Sequence, residues 1–341
     1  MKRAYDFSDV LIVPKTSKLE SRQDVNLYKI FKFRYSPYQL QMVPIMAANM
    51  DTVGTIKVAQ TLSKYGMFTC LHKFVTLEEF RENKEFLESI QDLFSVSIGC
   101  SEKEIQKLKD IEEIVKYKVI CIDVANGHME RFIRFCASVR EQFPEKVIIA
   151  GNVATPLGVM NLVEKGKVDI VKCGIGSGSA CTTRIKTGVG IPQFTCTQEC
   201  STKAKMLGAH VISDGGITCP GDLGKAFGVG ADFVMMGGQF AGHDQNPGEM
   251  IIEQDGKRYK EFYGMSSEHA MYKNYGGKSD YRSSEGRYIK IPYKGDMNET
   301  VEDFLGGLRS TCTYVNAESI DELHTNVTFI EVTNQFNRSL I

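Results

Sequence analysis

The stretch VICIDVANG, residues 119–127, indicates the fold, because an unbroken apolar run gives way to Asp, Asn and Gly. A run without polar alternation predicts a strand that is buried on both faces, as in parallel sheets. Seven other runs share this form and are rich in Val and Ile: VPIMAANMD (43–51), GMFTCLHK (66–73), FSVSIGC (94–100), VIIAGNV (147–153), DIVKCGIG (169–176), HVISDGGI (210–217) and DFVMMGG (232–238).

Segments with a helical pattern separate these runs, such as TLEEFRENKEFLESI (76–90) and HMERFIRFCASVREQF (128–143). Eight strand–helix units fit the α/β class as a (β/α)8 TIM barrel, so we expect residues 1–341 to form a single catalytic domain. The segment 301–326 predicts a final pair of helices. The alternative is a doubly wound sheet, which usually has a GxGxxG turn after its first strand. AANMDTVG (47–54) does not match that pattern.

The ends of the last two predicted strands indicate a phosphate site. In a TIM barrel the active site lies at the carboxyl ends of the strands, and a phosphate is often held after strands seven and eight. These strands end in DGG (214–216) and GG (237–238), whose glycines let backbone N–H groups approach a ligand. Asp214 suits the hydroxyls of a sugar, so the pattern predicts a sugar phosphate or a nucleotide. Ordinary turns use the same residues, which is the alternative.

The segment FYGMSSEHAMYKNYGGKSDYRSSEGRYIKIPYKGDM (262–297) is polar, rich in Gly, Ser and Tyr, and poor in periodicity. It follows the eighth strand, on the side of the predicted site. A long insertion without regular structure is usually functional or disordered. We expect a mobile lid over residues 263–295, and the alternative is an irregular surface loop.

The loop GIGSGSACTTRIKTGVGIPQ (174–193) places one cysteine among glycines. A thiolate is the most nucleophilic side chain near neutral pH, and positive potential or N–H groups activate it. Cys181 is therefore a candidate nucleophile, with Arg184 three residues further on. The alternative is a buried thiol that packs the loop. The loop contains no histidine, so a Cys–His pair is not indicated locally.

Composition limits the partners that we expect. The formal net charge is −1, which argues against a surface for nucleic acid. The N-terminal residues MKRAYDFSDVLIVPK resemble no secretion signal, and no apolar run is long enough to cross a membrane. We expect a cytoplasmic protein whose ten cysteines are reduced.

The cysteine loop closely resembles the catalytic loop of the IMP dehydrogenase and GMP reductase family. Further motifs are similar to the reductase branch: DVLIVPK, PIMAANMDTVG, CIDVANGH, AGNVAT, VISDGGI, DFVMMGGQFAGH, FYGMSSEHAM, YRSSEG and GGLRSTCTYV. LHKFVTLEEF leads directly to FSVSIGC, which leaves no room for the regulatory insert that dehydrogenases usually have after the second strand. YRSSEG contains an acid, Glu285, and lacks the Arg–Tyr pair with which dehydrogenases activate water.

The resemblance implies reductive deamination of GMP by NADPH, which gives IMP and ammonia in purine salvage. Cys181 would form a covalent thioimidate, with Thr183 and Glu285 as the pair that protonates ammonia. Three alternatives stay open: an IMP dehydrogenase without its insert, a catalytically silent purine-nucleotide-binding barrel, and a phosphate-binding barrel of different chemistry.

The resemblance also implies ligand contacts and a homotetramer. GMP and IMP would contact Ser179, Asp214, Gly215, Gly216, Gly237, Gly238, Gly264, Met265, Ser266, Arg282 and Gly286. NADPH would contact Lys73, Asp123, Val124, Ala125, Tyr281, Ser310, Thr311, Cys312 and Thr313, with Ser21 and Arg22 from a neighbouring subunit. A potassium ion would bind the backbone carbonyls of Gly176, Gly178 and Cys181.

Two residues depart from the pattern of the family. Ser177 stands where the family usually has proline, and the loss of a φ restraint predicts a more mobile loop and a weaker cation site. Asn316 stands where the family usually has glycine. If that position needs a positive φ, asparagine is the most tolerable alternative to glycine.

Overall fold

The strands of the barrel follow one another in the chain and pair in the same order. The structure, a computed structural model, describes residues 1–275, with the backbone alone at Tyr275, and residues 284–333. The strands in this part of the chain are β1 Val10–Ile12, β2 Lys29–Lys32, β3 Gln39–Ala47, β4 Met67–Leu71, β5 Phe94–Ile98, β6 Val119–Asp123, β7 Val147–Val153, β8 Ile170–Cys173, β9 His210–Asp214, β10 Phe233–Met236, β11 Ile251–Ile252, β12 Arg258–Tyr263, β13 Tyr288–Pro292 and β14 Phe329–Glu331.

Strands β3 to β10 form a closed parallel sheet. Each pairs with the next one along the chain, and β10 pairs with β3 to complete the ring. Each of the eight predicted apolar runs coincides with one of these strands, although β3 begins four residues before its run, at Gln39. The predicted (β/α)8 barrel is therefore confirmed.

Helices connect and surround the strands. They are α1 Ile56–Leu62, α2 Leu77–Glu82, α3 Lys84–Ser89, α4 Glu102–Ile114, α5 Glu130–Gln142, α6 Pro156–Met160, α7 Thr183–Thr187, α8 Gln193–Met206, α9 Pro220–Gly228, α10 Glu268–Tyr275, α11 Met297–Tyr314 and α12 Ile320–Asn326. The predicted final helix pair is present as α11 and α12, which pack on α9. In the part of the chain that the structure describes, no helix combines the length and apolar character needed to cross a bilayer.

The core divides into layers because alternate residues of a strand point to opposite faces of the sheet. On β7, Val147 and Ile149 belong to the cluster inside the barrel, whereas Ile148 and Ala150 pack against the surrounding helices. All ten cysteines are unpaired and seven are buried, where a free cysteine packs as a small hydrophobic side chain.

The segment after β10 is more regular than its composition predicts. Strands β11, β12 and β13 form an antiparallel sheet of three strands, and α10 follows β12. The expectation of an insertion without regular structure is therefore wrong for these residues. In β13, YIKIP, exposed and half-buried side chains alternate. This period of two is that of a strand with one face toward solvent. A closing motion of this segment stays a prediction.

Asn316 has a φ of 56°, so this position does use the left-handed region. Its side-chain oxygen accepts a hydrogen bond from the backbone N–H of Lys18 at 2.7 Å, which ties the end of α11 to the N-terminal segment. The departure from glycine is therefore compatible with the local backbone.

At the amino end of the barrel a half-buried histidine pairs with a buried aspartate. His210 Nδ1 lies 3.2 Å from Asp232 Oδ1, and His210 Nε2 lies 2.9 Å from the carbonyl oxygen of Lys32. Both partners accept hydrogen bonds only, so both are satisfied when the imidazole is protonated. Burial alone would lower the pKa of His210, but the Asp232 carboxylate and the Lys32 carbonyl outweigh burial and the charge of Lys29, and they raise it.

We expect the free energy of unfolding to fall as the pH rises through the pKa of His210. Because this pKa is raised in the folded state, its contribution to stability is complete below about pH 6.5, the ordinary value, and is lost above the folded value. Urea unfolding followed by circular dichroism at about pH 6 and about pH 8.5 measures this change. In the His210→Gln variant the free energy of unfolding should no longer fall over this pH range. An equal fall in the variant and in the wild type would contradict the prediction.

Candidate active site

A cavity of about 300 Å³ opens at the carboxyl ends of the barrel strands, where the sequence predicts the site. Residues from the ends of six barrel strands line it, together with residues that follow β12 and precede β13. It brings together many of the predicted site residues: Asp123, Val124, Ala125, Gly176, Gly178, Ser179, Cys181, Thr183, Asp214, Gly215, Gly216, Gly237, Gly238, Gly264, Met265, Ser266, Glu285 and Gly286.

The cysteine loop begins at Gly174, directly after β8, at a point where only glycine fits. Gly174 has a φ of 151°, and a Cβ atom there would lie 2.0 Å from the carbonyl oxygen of Asp214. The absence of a side chain lets the ends of β8 and β9 approach each other closely. This contact places the loop beside the residue that is predicted to bind a sugar.

Three side chains form a hydrogen-bonded chain on one wall of the cavity. The Cys181 thiol donates to Thr183 Oγ1 at 3.2 Å, and the Thr183 hydroxyl donates to Glu285 Oε2 at 2.8 Å. Cys181 and Thr183 are half-buried, as is Glu285. The arrangement connects a nucleophile to a carboxylate through a hydroxyl, which is a path for a proton.

Backbone pairing holds Glu285 in this position. The N–H of Thr182 donates to the carbonyl of Glu285 at 2.8 Å, and the N–H of Arg287 donates to the carbonyl of Ala180 at 3.0 Å. Cys181 and Gly286 thereby form an antiparallel bridge. The segment before β13 therefore lies against the cysteine loop as a short strand would, and the acid is aligned by the main chain.

Arg184 does not direct its charge at the thiol, although the sequence analysis placed it nearby. Its guanidinium lies 3.1 Å from Asp6 Oδ2 and donates to the carbonyl of Ile191 at 3.0 Å. Asp6 belongs to the N-terminal segment, so the partner is remote in sequence. The Asp6 carboxylate therefore offsets the positive charge of Arg184.

Lys172 is a charged residue in the cavity wall that the sequence analysis did not select. It lies on β8, is 3% exposed, and pairs with Asp123 and with Asp214, the latter at 3.5 Å. Burial alone would lower the pKa of Lys172, but the two carboxylates outweigh burial and raise it, so the ammonium stays charged. The sequence does carry a sign of this ion pair, because the apolar run DIVKCG contains a lysine. Burial of an unpaired charge is costly, so a lysine in a buried strand indicates carboxylate partners.

Asn152, on β7, is another polar group in the cavity wall, and it is not among the residues assigned to a ligand from the sequence. Its side-chain amide donates to Asp214 Oδ2 and to the carbonyl of Gly174, both at 2.8 Å. Lys172 and Asn152 thus both contact the same oxygen of the Asp214 carboxylate, Oδ2. Asp214 is therefore oriented before any ligand arrives.

The predicted phosphate residues lie together at the ends of β9 and β10. A Cβ atom on Gly238 would lie 2.7 Å from Ser179 Oγ, so the cysteine loop and the β10 end are in close contact. Lys294 Nζ donates to the carbonyls of Gly238 and Gln239, both at 3.1 Å. Burial lowers the pKa of Lys294 to about 8, which leaves it mostly charged near neutral pH.

Comparison with known proteins shows the family of this chain. The model of the IMP dehydrogenase / GMP reductase domain matches residues 4–338. The chain belongs to the IMP dehydrogenase/GMP reductase family. Among curated members, GMP reductase 2 of Homo sapiens is 51% identical over 337 residues, which cover 97% of this chain and 95% of that protein. GMP reductase 2 of Mus musculus is 50% identical, with the same coverage. GMP reductase of Onchocerca volvulus is 50% identical, over 97% of this chain and 92% of that protein.

The family resemblance assigns a set of residues to the cofactor. These residues lie in separate parts of the structure. Asp123, Val124 and Ala125 line the cavity, whereas Lys73 does not. Residues 310–313 lie on α11, where Thr311 packs against Gly224 of α9, outside the cavity lining. The turn Arg22–Asp24, preceded by Ser21, also packs against α11. Tyr281 and Arg282 lie outside the described residues.

The three carbonyls predicted to bind potassium belong to the cysteine loop of this family member. The Gly178 carbonyl accepts a hydrogen bond from the N–H of Cys181 at 3.0 Å and keeps a second lone pair. Gly176 has a φ of 87°, which turns the backbone sharply before Ser177. Oxygen donors on a tight turn suit a hard cation, and the potassium site stays a prediction.

Proposed function

We propose that this protein is a GMP reductase, which converts GMP to IMP and ammonia with NADPH. One observation carries the proposal: the chain from Cys181 through Thr183 to Glu285 borders a cavity that also contains the glycines of the predicted phosphate site. A thiol nucleophile, a proton path and a nucleotide site are the groups that this reaction needs. Membership of the family supports the same activity.

The first step adds the Cys181 sulfur to C2 of the guanine ring. The thiol proton passes through the Thr183 hydroxyl to Glu285, along the donor directions of the hydrogen bonds. The thiolate forms a bond to C2, and the electron pair of the C2=N3 double bond moves to N3, which takes a proton from water and returns it in the second step. The product is a tetrahedral adduct in which C2 bears both sulfur and the amino group.

The second step removes ammonia. The amino group is a poor leaving group until it is protonated, and Glu285 returns its proton through Thr183 to the departing nitrogen. Loss of the N3 proton restores the C2=N3 double bond and leaves a thioimidate on Cys181. When NADPH is bound it supplies a hydride to C2. The Cys181 thiolate is then expelled as IMP forms, so one hydride and one proton enter for each ammonia released.

The rest of the cavity supplies binding and orientation. We assign the phosphate to Ser179 and to the backbone of Gly215, Gly216, Gly237 and Gly238, and the ribose hydroxyls to Asp214. Lys172 and Asn152 support this assignment, because they hold the Asp214 carboxylate in one orientation. A fixed acceptor binds a sugar hydroxyl at a lower entropic cost than a free one. Gly264, Met265, Ser266, Arg282 and Gly286 are assigned to the base.

NADPH and potassium belong to the proposal as ligands. Lys73, Asp123, Val124, Ala125, Tyr281 and residues 310–313 would hold NADPH, with Ser21 and Arg22 of a neighbouring subunit in a homotetramer. Residues 310–313 lie outside the cavity lining and the Cys312 side chain is completely buried, so a contact by side chains there would come from the half-buried Ser310, Thr311 and Thr313. Potassium would bind the carbonyls of Gly176, Gly178 and Cys181.

An IMP dehydrogenase would use the same cysteine and the same nucleotide site. Between β4 and β5 the chain forms the short helices α2 and α3, with no inserted domain. The group that reaches Thr183 is a carboxylate, which suits protonation of a leaving amine. These two observations favour the reductase.

A single assay tests the proposal. Purified protein is incubated with GMP, NADPH and potassium, the loss of NADPH absorbance is followed, and the product is identified by chromatography. We expect IMP and ammonia in equal amounts. A parallel reaction with IMP and NAD⁺ should give no sustained turnover. Fast NADH production there would identify a dehydrogenase, and binding of GMP without any turnover would identify a silent nucleotide-binding protein.

A further inference from the structure

Ser177 connects the cysteine loop to two other elements of the barrel. Its Oγ lies 2.7 Å from Gln193 Oε1 and 3.2 Å from the carbonyl oxygen of Asp214. Both partners are acceptors, so the hydroxyl is the donor and shares its one proton between them. Through this one side chain the loop is attached both to the start of α8 and to the end of β9.

Gln193 is the fixed point of these contacts. It is completely buried, and its side-chain amide nitrogen donates to the carbonyl of Cys173 at 2.9 Å and lies 3.1 Å from Ser213 Oγ. A backbone carbonyl accepts only, so the amide nitrogen must face Cys173 and the amide oxygen must face Ser177. The backbone N–H of Gln193 donates to Asp6 Oδ1 at 2.6 Å. The acceptor for Ser177 is therefore held from several sides.

The position of this attachment matters for Cys181, four residues further along the loop. Ser177 is half-buried and lines the cavity between Gly176 and Gly178. A Cβ atom on Gly215 would lie 2.6 Å from Ser177 Oγ, so the loop passes directly over the end of β9. The hydroxyl thus sets the distance between the loop that carries the thiol and the strand that carries Asp214.

We propose that Ser177 is a positioning residue whose hydrogen bonds to Gln193 and Asp214 hold the Cys181 loop in its reactive place. The inference rests on the proposed function for its kinetic consequence, but the restraint itself is a property of the loop. The hydrogen-bonded Ser177 side chain restrains the loop, as the fixed φ angle of a proline would. Reactive geometry is sensitive to displacements of about 1 Å, which can change a rate by about a hundredfold.

The experiment compares Ser177→Ala, Ser177→Pro and the wild type, with Ser89→Ala as a control. Ser89 is exposed, and its hydroxyl donates to the carbonyl of Phe86 in its own helix, α3. The first measurement is the rate at which iodoacetamide alkylates Cys181 in the absence of ligands, followed by mass spectrometry of the Cys181 peptide. The second is kcat and KM for GMP and for NADPH. Thermal unfolding confirms that each variant is folded.

We expect Ser177→Ala to raise the alkylation rate several-fold and to lower kcat by about tenfold, with little change in KM for NADPH. Ser177→Pro should return both quantities to within about twofold of the wild type, because the ring restrains the backbone without a hydroxyl. Wild-type values in a folded Ser177→Ala variant would overturn the proposal, as would a proline variant that is as impaired as the alanine variant. If the wild type fails to reduce GMP, the alkylation rates still decide whether Ser177 holds the loop.

Discussion

Replacement of Cys181 with alanine should abolish turnover and leave GMP binding almost unchanged. Without the thiol no covalent bond to C2 can form, and loss of a covalent nucleophile typically lowers kcat by about 10⁴-fold or more. The phosphate and ribose contacts assigned to the ends of β9 and β10 do not involve Cys181, so binding energy is retained. Steady-state assays measure the first effect, and isothermal titration with GMP measures the second.

The matched control is Cys219→Ala, which removes an exposed thiol that does not line the cavity. It should retain the wild-type rate. A Cys181→Ala variant with a near-normal rate would remove the thiol from the mechanism. A variant that is inactive because it no longer binds GMP would show that Cys181 shapes the site rather than reacting in it.

Replacement of Glu285 with glutamine should slow the release of ammonia more than the transfer of hydride. Glutamine keeps the shape and can accept the hydrogen bond from Thr183, but it cannot carry the proton. Loss of a general acid typically costs about 10²- to 10⁴-fold. Rapid-quench measurement of ammonia from GMP reports the first half of the reaction. IMP with NADP⁺ reports hydride transfer in reverse, because that direction forms the thioimidate without ammonia.

Thr183→Val interrupts the same chain and should reproduce this pattern. A variant that carries both Thr183→Val and Glu285→Gln should be little slower than either single variant, because each change interrupts the same proton path. Glu253→Gln provides the control, since Glu253 is exposed and pairs with Lys290 outside the cavity lining. Equal slowing of both half-reactions in Glu285→Gln would count against its role as the acid.

The parts of the molecule that sequence reasoning predicted are those whose signal is local. The apolar runs reveal the barrel strands because strands buried on both faces must be continuously apolar. The glycines at 215–216 and 237–238 indicate close backbone approach because no other residue permits it. The thiol of Cys181 is conspicuous because a glycine-rich loop after a strand exposes it. Each of these inferences needs only a few neighbouring residues.

The remaining features depend on partners that are distant in the chain. Lys172 lies within an apolar run, and its meaning depends on Asp123 and Asp214, which come from other strands. Arg184 is paired with Asp6, from which it is separated by 178 positions in the sequence. The sheet of β11, β12 and β13 was not predicted because β11 has two residues, β13 is exposed or half-buried throughout, and β12 carries charged residues among its buried ones, so none of them reads as a continuous apolar run. No local pattern contains this information.

The backbone bridge between Cys181 and Gly286 determines which kinds of sequence change this site can tolerate. Because the contacts run through N–H and carbonyl groups, exchanging the side chain of Glu285 or Arg287 leaves them in place, whereas a Cβ atom on Gly286 would lie 2.8 Å from the backbone nitrogen of Ser267. Adding or removing one residue between Ser284 and Arg287 has a different effect, since successive side chains of an extended strand face opposite sides. Such an insertion would turn the carboxylate of Glu285 away from Thr183 while its neighbours stayed paired. The spacing of this short segment, together with its glycine, therefore limits how it can change.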